Sequence, residues 1–154
     1  MKCTKCGGSR FRKGGEAMAR KLDGRTFRGT LPATVCTKCG EVFVDGKEIA
    51  RFDAEIAARM ARDGAPSGAS FQWMRKAMGL RGADLAPLLD VSAETLSRWE
   101  TGERTVPRTA WVLLSRIVLE GRGPSSPTLG RLTSLTAHAP TLPKVVQLGA
   151  SAKG

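Results

Sequence analysis

Apolar side chains recur at three- and four-residue spacing along five stretches of the chain, and each reads as an amphipathic helix. In residues 47–62 they are Ile49, Phe52, Ile56, Ala57 and Met60, and Asp63-Gly64 closes the run. A second helix opens at Ser70, a residue able to cap it, carries Phe71, Met74 and Met78 on one side and ends at Gly79. A shorter one follows within residues 80–90, with Leu85, Leu88 and Leu89 as its apolar positions. Pro87 lies inside it and should kink or locally unwind it, because it brings no N–H. The fourth has Ser92 as N-cap, Val91, Leu96 and Trp99 directed inward, and Gly102 as its C-terminal stop. The last begins at Pro107, with Trp111, Val112, Leu114, Ser115 and Val118 down one side. Leu113, Ile117 and Leu119 widen that surface, which serves either a homodimer interface or extra core burial.

The N-terminal third reads differently. Asp23-Gly24, a favoured two-residue hairpin turn, separates Met18–Leu22 from Thr26-Phe27, predicting two strands; Val42–Val44 is a third short strand. Around these lie two Cys-x-x-Cys knuckles, Cys3/Cys6 and Cys36/Cys39, each followed by a glycine. Each knuckle turns two thiolates toward one point, so the pair supplies four sulfur ligands for a tetrahedral Zn²⁺. The 29 residues between them exceed the usual spacing of about 15–20 and leave room for an inserted hairpin. Lys5 and Lys38, inside the knuckles, would offset part of the negative charge of a four-thiolate centre. Four cysteines leave no open position for a catalytic water, so the metal is expected to be structural. A sheet with so few apolar residues depends on metal binding for much of its folding free energy.

Two short helices joined by a tight turn, the second with an exposed polar face, are the helix-turn-helix arrangement. That face is Ala93, Glu94, Ser97 and Arg98. Arginine bonds guanine O6 and N7 bidentately, glutamate accepts from cytosine N4, alanine touches a thymine methyl and serine reaches base or phosphate. Glu94 and Arg98 are also an i,i+4 pair worth about 0.2–0.5 kcal/mol, so they either bridge each other only or act together in reading DNA. Arg104 and Arg108 flank the next loop and suit phosphate contacts.

The run from Ser92 to Gly102 resembles the lambda-repressor-like (Xre) helix-turn-helix family. Joined to an N-terminal Cys-x-x-Cys…Cys-x-x-Cys segment, it resembles the MqsA (YgiT-type) antitoxin family over roughly residues 1–120. The resemblance implies a zinc domain that binds a ribonuclease toxin and a C-terminal domain that dimerises and represses its own operon. It also implies that Arg75 pairs with Glu100, the alternative being two solvated charges. Against the family pattern, Asp90 stands where a turn glycine is usual, and Gly82 where a phosphate-contacting glutamine is common, leaving neighbouring Arg81 as the substitute.

Charge changes the picture little. The formal net charge is +11, but residues 64–120 hold seven Lys/Arg against six Asp/Glu, while residues 1–63 hold fourteen against eight. The presumed reading domain is nearly neutral, so any counterion-release component must come from a few placed arginines or from the flanks. No apolar run reaches the roughly 18 residues of a membrane span and no signal core opens the chain, so a cytoplasmic protein is expected. Nothing resembles a nucleophile–base constellation, which argues against an enzyme.

The fold class expected is therefore α+β: a zinc-stapled sheet-plus-helix domain (1–63), a linker (64–69), an all-α helix-turn-helix domain (70–120) and a disordered basic tail without acidic residues (121–154). The expected partners are double-stranded DNA, a second copy of the chain and a toxin. The alternative is a stand-alone regulator whose zinc domain is structural or senses metal or redox state.

Overall fold

The structure, a computed structural model, describes residues 1–121, 126–139 and 141–149. A three-stranded antiparallel sheet, in the order β1-β2-β3, comes first: β1 Phe11–Leu22, β2 Arg25–Cys36 and β3 Val42–Val44. Helices α1 Gly46–Asp63, α2 Gly68–Ala77, α3 Gly82–Leu88, α4 Ala93–Glu100, α5 Arg108–Glu120 and α6 Pro127–Ala137 follow. The α+β class is as the sequence predicts.

The hairpin is longer than its apolar residues suggested, twelve residues in each strand, running in register from Leu22↔Arg25 at the turn to Phe11↔Cys36 beside the knuckles. Its turn has Asp23 at φ 50° and Gly24 at φ 71°, the double left-handed conformation that lets a two-residue loop follow the strand twist. Register places Met18, Arg20 and Leu22 on the same face as Phe27, Gly29 and Leu31, and that face meets α1. A Cβ on Gly29 would come within 2.8 Å of the Phe52 ring, so glycine is what lets the helix lie this close.

A single apolar cluster runs from Leu22 and Leu31, through Phe52, Ile56 and Met60 of α1, to Phe71, Met74, Leu85, Leu96, Trp99, Leu114 and Ile117. Helix α1 is the shared element, packing on β2 with one part of its surface and on α2 and α5 with another. The Trp73 indole N–H adds a bond to the Asp53 carbonyl at 3.0 Å.

The join between α1 and α2 is tighter than the expected linker. Helix α2 starts at Gly68, and its N-cap is Ser67, whose hydroxyl accepts from the Ser70 amide at 3.0 Å; Ser70 is not the cap. Ser70 is instead fully buried, and its hydroxyl, like that of Ser67, donates to the Asp23 carboxylate at the hairpin tip. A Cβ on Gly68 would sit 2.1 Å from the Trp99 carbonyl oxygen, so only glycine fits where α2 begins against the end of α4.

The expectation of a disordered tail does not hold for residues 126–137, which form the cap and body of α6. Glu120, ending α5, accepts from the Thr128 amide at 2.9 Å, the Ser126 hydroxyl at 2.7 Å and the Thr128 hydroxyl at 2.8 Å. These donors hold its carboxyl at about 2, below the ordinary 4.5. Leu129 and Leu132 pack against the core, and α6 contacts α5 and α3. With Arg131 its only charge, the segment lacked a clear polar face; capping by Glu120 and two docked leucines supply its stability. Part of the expected tail, residues 122–125, 140 and 150–154, lies outside the described residues.

Replacing Asp23 with Ala strands the buried Ser70 hydroxyl and should cost about 1–3 kcal/mol. Asp23→Asn, which keeps an acceptor oxygen and tolerates positive φ, should cost clearly less. Urea unfolding of wild type and the two variants decides it: an Asp23→Ala variant as stable as wild type would show that the carboxylate contributes nothing to the join.

Candidate metal centre and reading helix

The two knuckles are built alike. In the first, the Gly7 amide donates to the Cys3 carbonyl and the Cys3 amide to the Gly8 carbonyl, both at 2.8 Å. In the second, Gly40 donates to Cys36 and Cys36 to Glu41, both at 2.9 Å. Each needs a left-handed residue after its second cysteine, met by Gly7 at φ 70° and Gly40 at φ 74°. One knuckle precedes β1 and the other begins at the last residue of β2, so hairpin register sets them side by side. Their 29-residue separation in sequence is a consequence of strand length.

All four sulfurs lie within 4.8 Å of one another. Cys3 Sγ is 3.6 Å from Cys39 Sγ and Cys6 Sγ is 3.7 Å from Cys36 Sγ. Zinc–thiolate bonds of about 2.3 Å directed to a tetrahedron put neighbouring sulfurs about 3.8 Å apart, so the arrangement fits Zn²⁺. The Cys39 and Lys38 amides lower the Cys36 thiol to about 7. At Cys39 the Glu41 amide acts in the same direction, but the neighbouring thiols of Cys6, Cys3 and Cys36 and burial outweigh it and raise the group to about 12. Four thiolates this close oppose one another's ionisation, and a divalent cation among them removes that conflict. Lys5 does lie at the site, but it is also held by Glu41 at 2.8 Å, so part of its charge is already matched.

The two helices expected to form the helix-turn-helix are α3 and α4. Asp90, at φ 53°, turns the chain between them without the usual glycine. Helix α3 ends at Leu88, one residue past Pro87, so the proline falls in its last turn. Ser92 caps α4 through the Thr95 amide at 3.1 Å. Leu96 and Trp99 are buried, the latter edge-on to Phe71 with ring centroids 6.1 Å apart.

Arg75 and Glu100 form a buried bidentate pair, Nε to Oε1 at 2.5 Å and Nη2 to Oε2 at 2.8 Å. Their side chains are only 10% and 6% exposed, which removes the reading as solvated charges. Arg75 Nη1 also donates to the Leu80 carbonyl at 2.7 Å, and Gln72 donates to Glu100 at 3.2 Å, so the ends of α2 and α4 are fixed together.

Opposite the buried side, Ala93, Glu94 and Ser97 are exposed and Arg98 is half-buried. Glu94 accepts from Arg98 at 2.5 Å, the i,i+4 bridge the spacing predicts. A second carboxylate, Glu103, lies 3.5 Å from Arg98 Nε, a contact the helical period does not reveal because Glu103 is beyond the helix. Arg81 sits at the N-cap of α3 and is engaged by Asp84 at 2.7 and 2.8 Å, so it is not a free cation for phosphate. Arg104 and Arg108 are exposed, Arg108 as the first residue of α5.

Two outcomes test this architecture. Removing the metal with a chelator, or replacing Cys36 with Ser, should abolish binding of one Zn²⁺ per chain and lower the melting temperature, read by metal analysis and circular dichroism. An unchanged melt would show that the sheet stands without metal. Glu100→Ala should cost about 3–5 kcal/mol by leaving Arg75 buried beside an empty position; a loss under about 1 kcal/mol in urea unfolding would place the pair among weak surface bridges.

No helix is long and apolar enough to cross a membrane, among the described residues. No curated protein matches the chain. The family model for the antitoxin component of bacterial toxin–antitoxin systems, MqsA, matches residues 1–124, which covers the sulfur cluster, the sheet and helices α1–α5. With that match spanning both the knuckles and helices α3 and α4, the chain belongs to the MqsA antitoxin family.

Proposed function

We propose that this antitoxin is a cytoplasmic, zinc-containing transcriptional repressor that binds a palindromic operator as a homodimer and neutralises a ribonuclease toxin through its N-terminal domain. Helix α4 carries the DNA-binding part of the reading: one side is locked into the core by Leu96, Trp99 and Glu100, while Ala93, Glu94, Ser97 and Arg98 are presented outward. A rigid polar helix after a capped turn is what major-groove reading requires.

Arg98 is the leading base contact, with a guanine as its partner. Glu94 keeps it extended and resists phosphate, while Arg104 and Arg108 supply backbone contacts; Arg81 contributes only if DNA draws it from Asp84. The dimer is supported by Val112 and Leu119, which remain exposed on one side of α5, while Ala110, Trp111, Leu114, Ile117 and Val118 are buried in the core. Zn²⁺ is the metal that the four-thiolate geometry favours, in a structural role. The toxin follows from family membership, and the zinc domain is the part left free for it by the DNA-reading helix.

A binding titration against DNA from upstream of the protein's own gene is the test. Arg98→Ala should weaken that complex by about 1–3 kcal/mol and leave binding to random duplex nearly unchanged. Glu94→Gln should tighten random binding. A wild-type protein with no preference for the upstream duplex would rule out self-repression.

A further inference from the structure

Arg98 lies between two carboxylates that come from different parts of the chain. Glu94, one turn earlier on α4, accepts from Nη2 at 2.5 Å. Glu103, beyond the helix, brings Oε1 to 3.5 Å from Nε. Helical spacing is enough for the first contact. The second requires the chain to reverse after α4. Gly102 does this at φ 80°, and the Arg104 amide then donates to the Arg98 carbonyl at 2.9 Å, which draws Glu103 back alongside the arginine.

A guanidinium has five N–H donors in a fixed planar arrangement. Here Nε and Nη2 face carboxylates, and Nη1 has no bond among the described residues. The Nη1–Nη2 edge therefore still has hydrogens to offer, in the geometry that matches two acceptors on one base. The local charge matters as well. One cation between two carboxylates is net negative, and that repels a phosphate much more than it repels the neutral O6 and N7 of guanine.

We propose that Glu103, together with Glu94, holds Arg98 with its Nη1–Nη2 edge toward guanine and denies the same guanidinium to phosphate, which makes Glu103 a positioning residue that sets DNA specificity. The proposal rests on the DNA-reading function above and adds to it a residue from outside the recognition helix. Glu103 is exposed, and its role is exerted through Arg98.

The test uses the zinc-loaded full chain in anisotropy titrations with three DNAs: the duplex from upstream of its own gene, the same duplex with guanines replaced in turn by 7-deazaguanine, which lacks the N7 acceptor, and a random duplex. Wild type should lose about tenfold in affinity when the guanine read by Arg98 is replaced, and Arg98→Ala should be insensitive to that replacement. In Glu103→Gln and Glu103→Ala the penalty should shrink to about twofold, while random-duplex binding tightens several-fold, with melting temperatures equal to wild type.

A full tenfold penalty retained in both Glu103 variants overturns the proposal, including the case where both duplexes simply bind more tightly, since Glu103 would then act as repulsive charge alone. That result would leave DNA reading by Arg98 intact. Absence of any wild-type preference for the upstream duplex, by contrast, removes the DNA-reading function and the positioning role with it.

Discussion

The buried pair between Arg75 and Glu100 fixes the arrangement on which the C-terminal half depends. Two opposite charges are withdrawn from water, and the geometry offsets that cost: two parallel hydrogen bonds between them, one from Arg75 to the Leu80 carbonyl and one from Gln72 to Glu100. Because Glu100 is the last residue of α4, its capture sets the depth and rotation of that helix. Trp99, its neighbour, can then pack edge-on against Phe71, and the far side of α4 faces outward as a rigid polar surface. Side-chain hydrogen bonding of this kind has one solution where apolar packing often has several.

At the other end of the molecule the constraint is chemical rather than steric. Four sulfurs within 4.8 Å cannot all ionise unaided, and the raised thiol of Cys39, beside Cys6, Cys3 and Cys36, expresses that conflict. A tetrahedral cation bound there would resolve it and tie the open ends of β1 and β2 together. The closed end of the same hairpin is held differently, by Asp23 on two serine hydroxyls of the α2 start. The hairpin thus acts as a strut between the metal centre and the helical half, with α1 packed along it.

That arrangement has a mechanical consequence if the chain performs both proposed tasks, toxin capture and DNA reading. The start of α2 is wedged between the hairpin tip and the end of α4, at Gly68, where no side chain fits. A partner that displaced the hairpin would therefore pull on the element that touches α4. Loop and helix are joined by contacts, and the apolar cluster is continuous across them.

Local chemistry made much of this legible in the sequence. The three- and four-residue periods placed α1 to α5, the Asp-Gly pair placed the hairpin turn, and the knuckle spacing picked out the four cysteines that the fold gathers, because each signal is written within a few residues. The Arg75–Glu100 pair was accessible only through family resemblance, since its partners are 25 residues apart. Tertiary structure decided what depends on distant neighbours. Ser67 rather than Ser70 caps α2, because Ser70 is drawn under the hairpin tip by a carboxylate 47 residues away. Helix α6 forms because Glu120 and the core receive it, although its own residues carry little helical pattern. Glu103 reaches Arg98 because Gly102 turns the chain back. Periodicity reports which side of an element is apolar; it holds no information on which polar group from elsewhere will meet a given side chain, and that is settled only when the whole chain has packed.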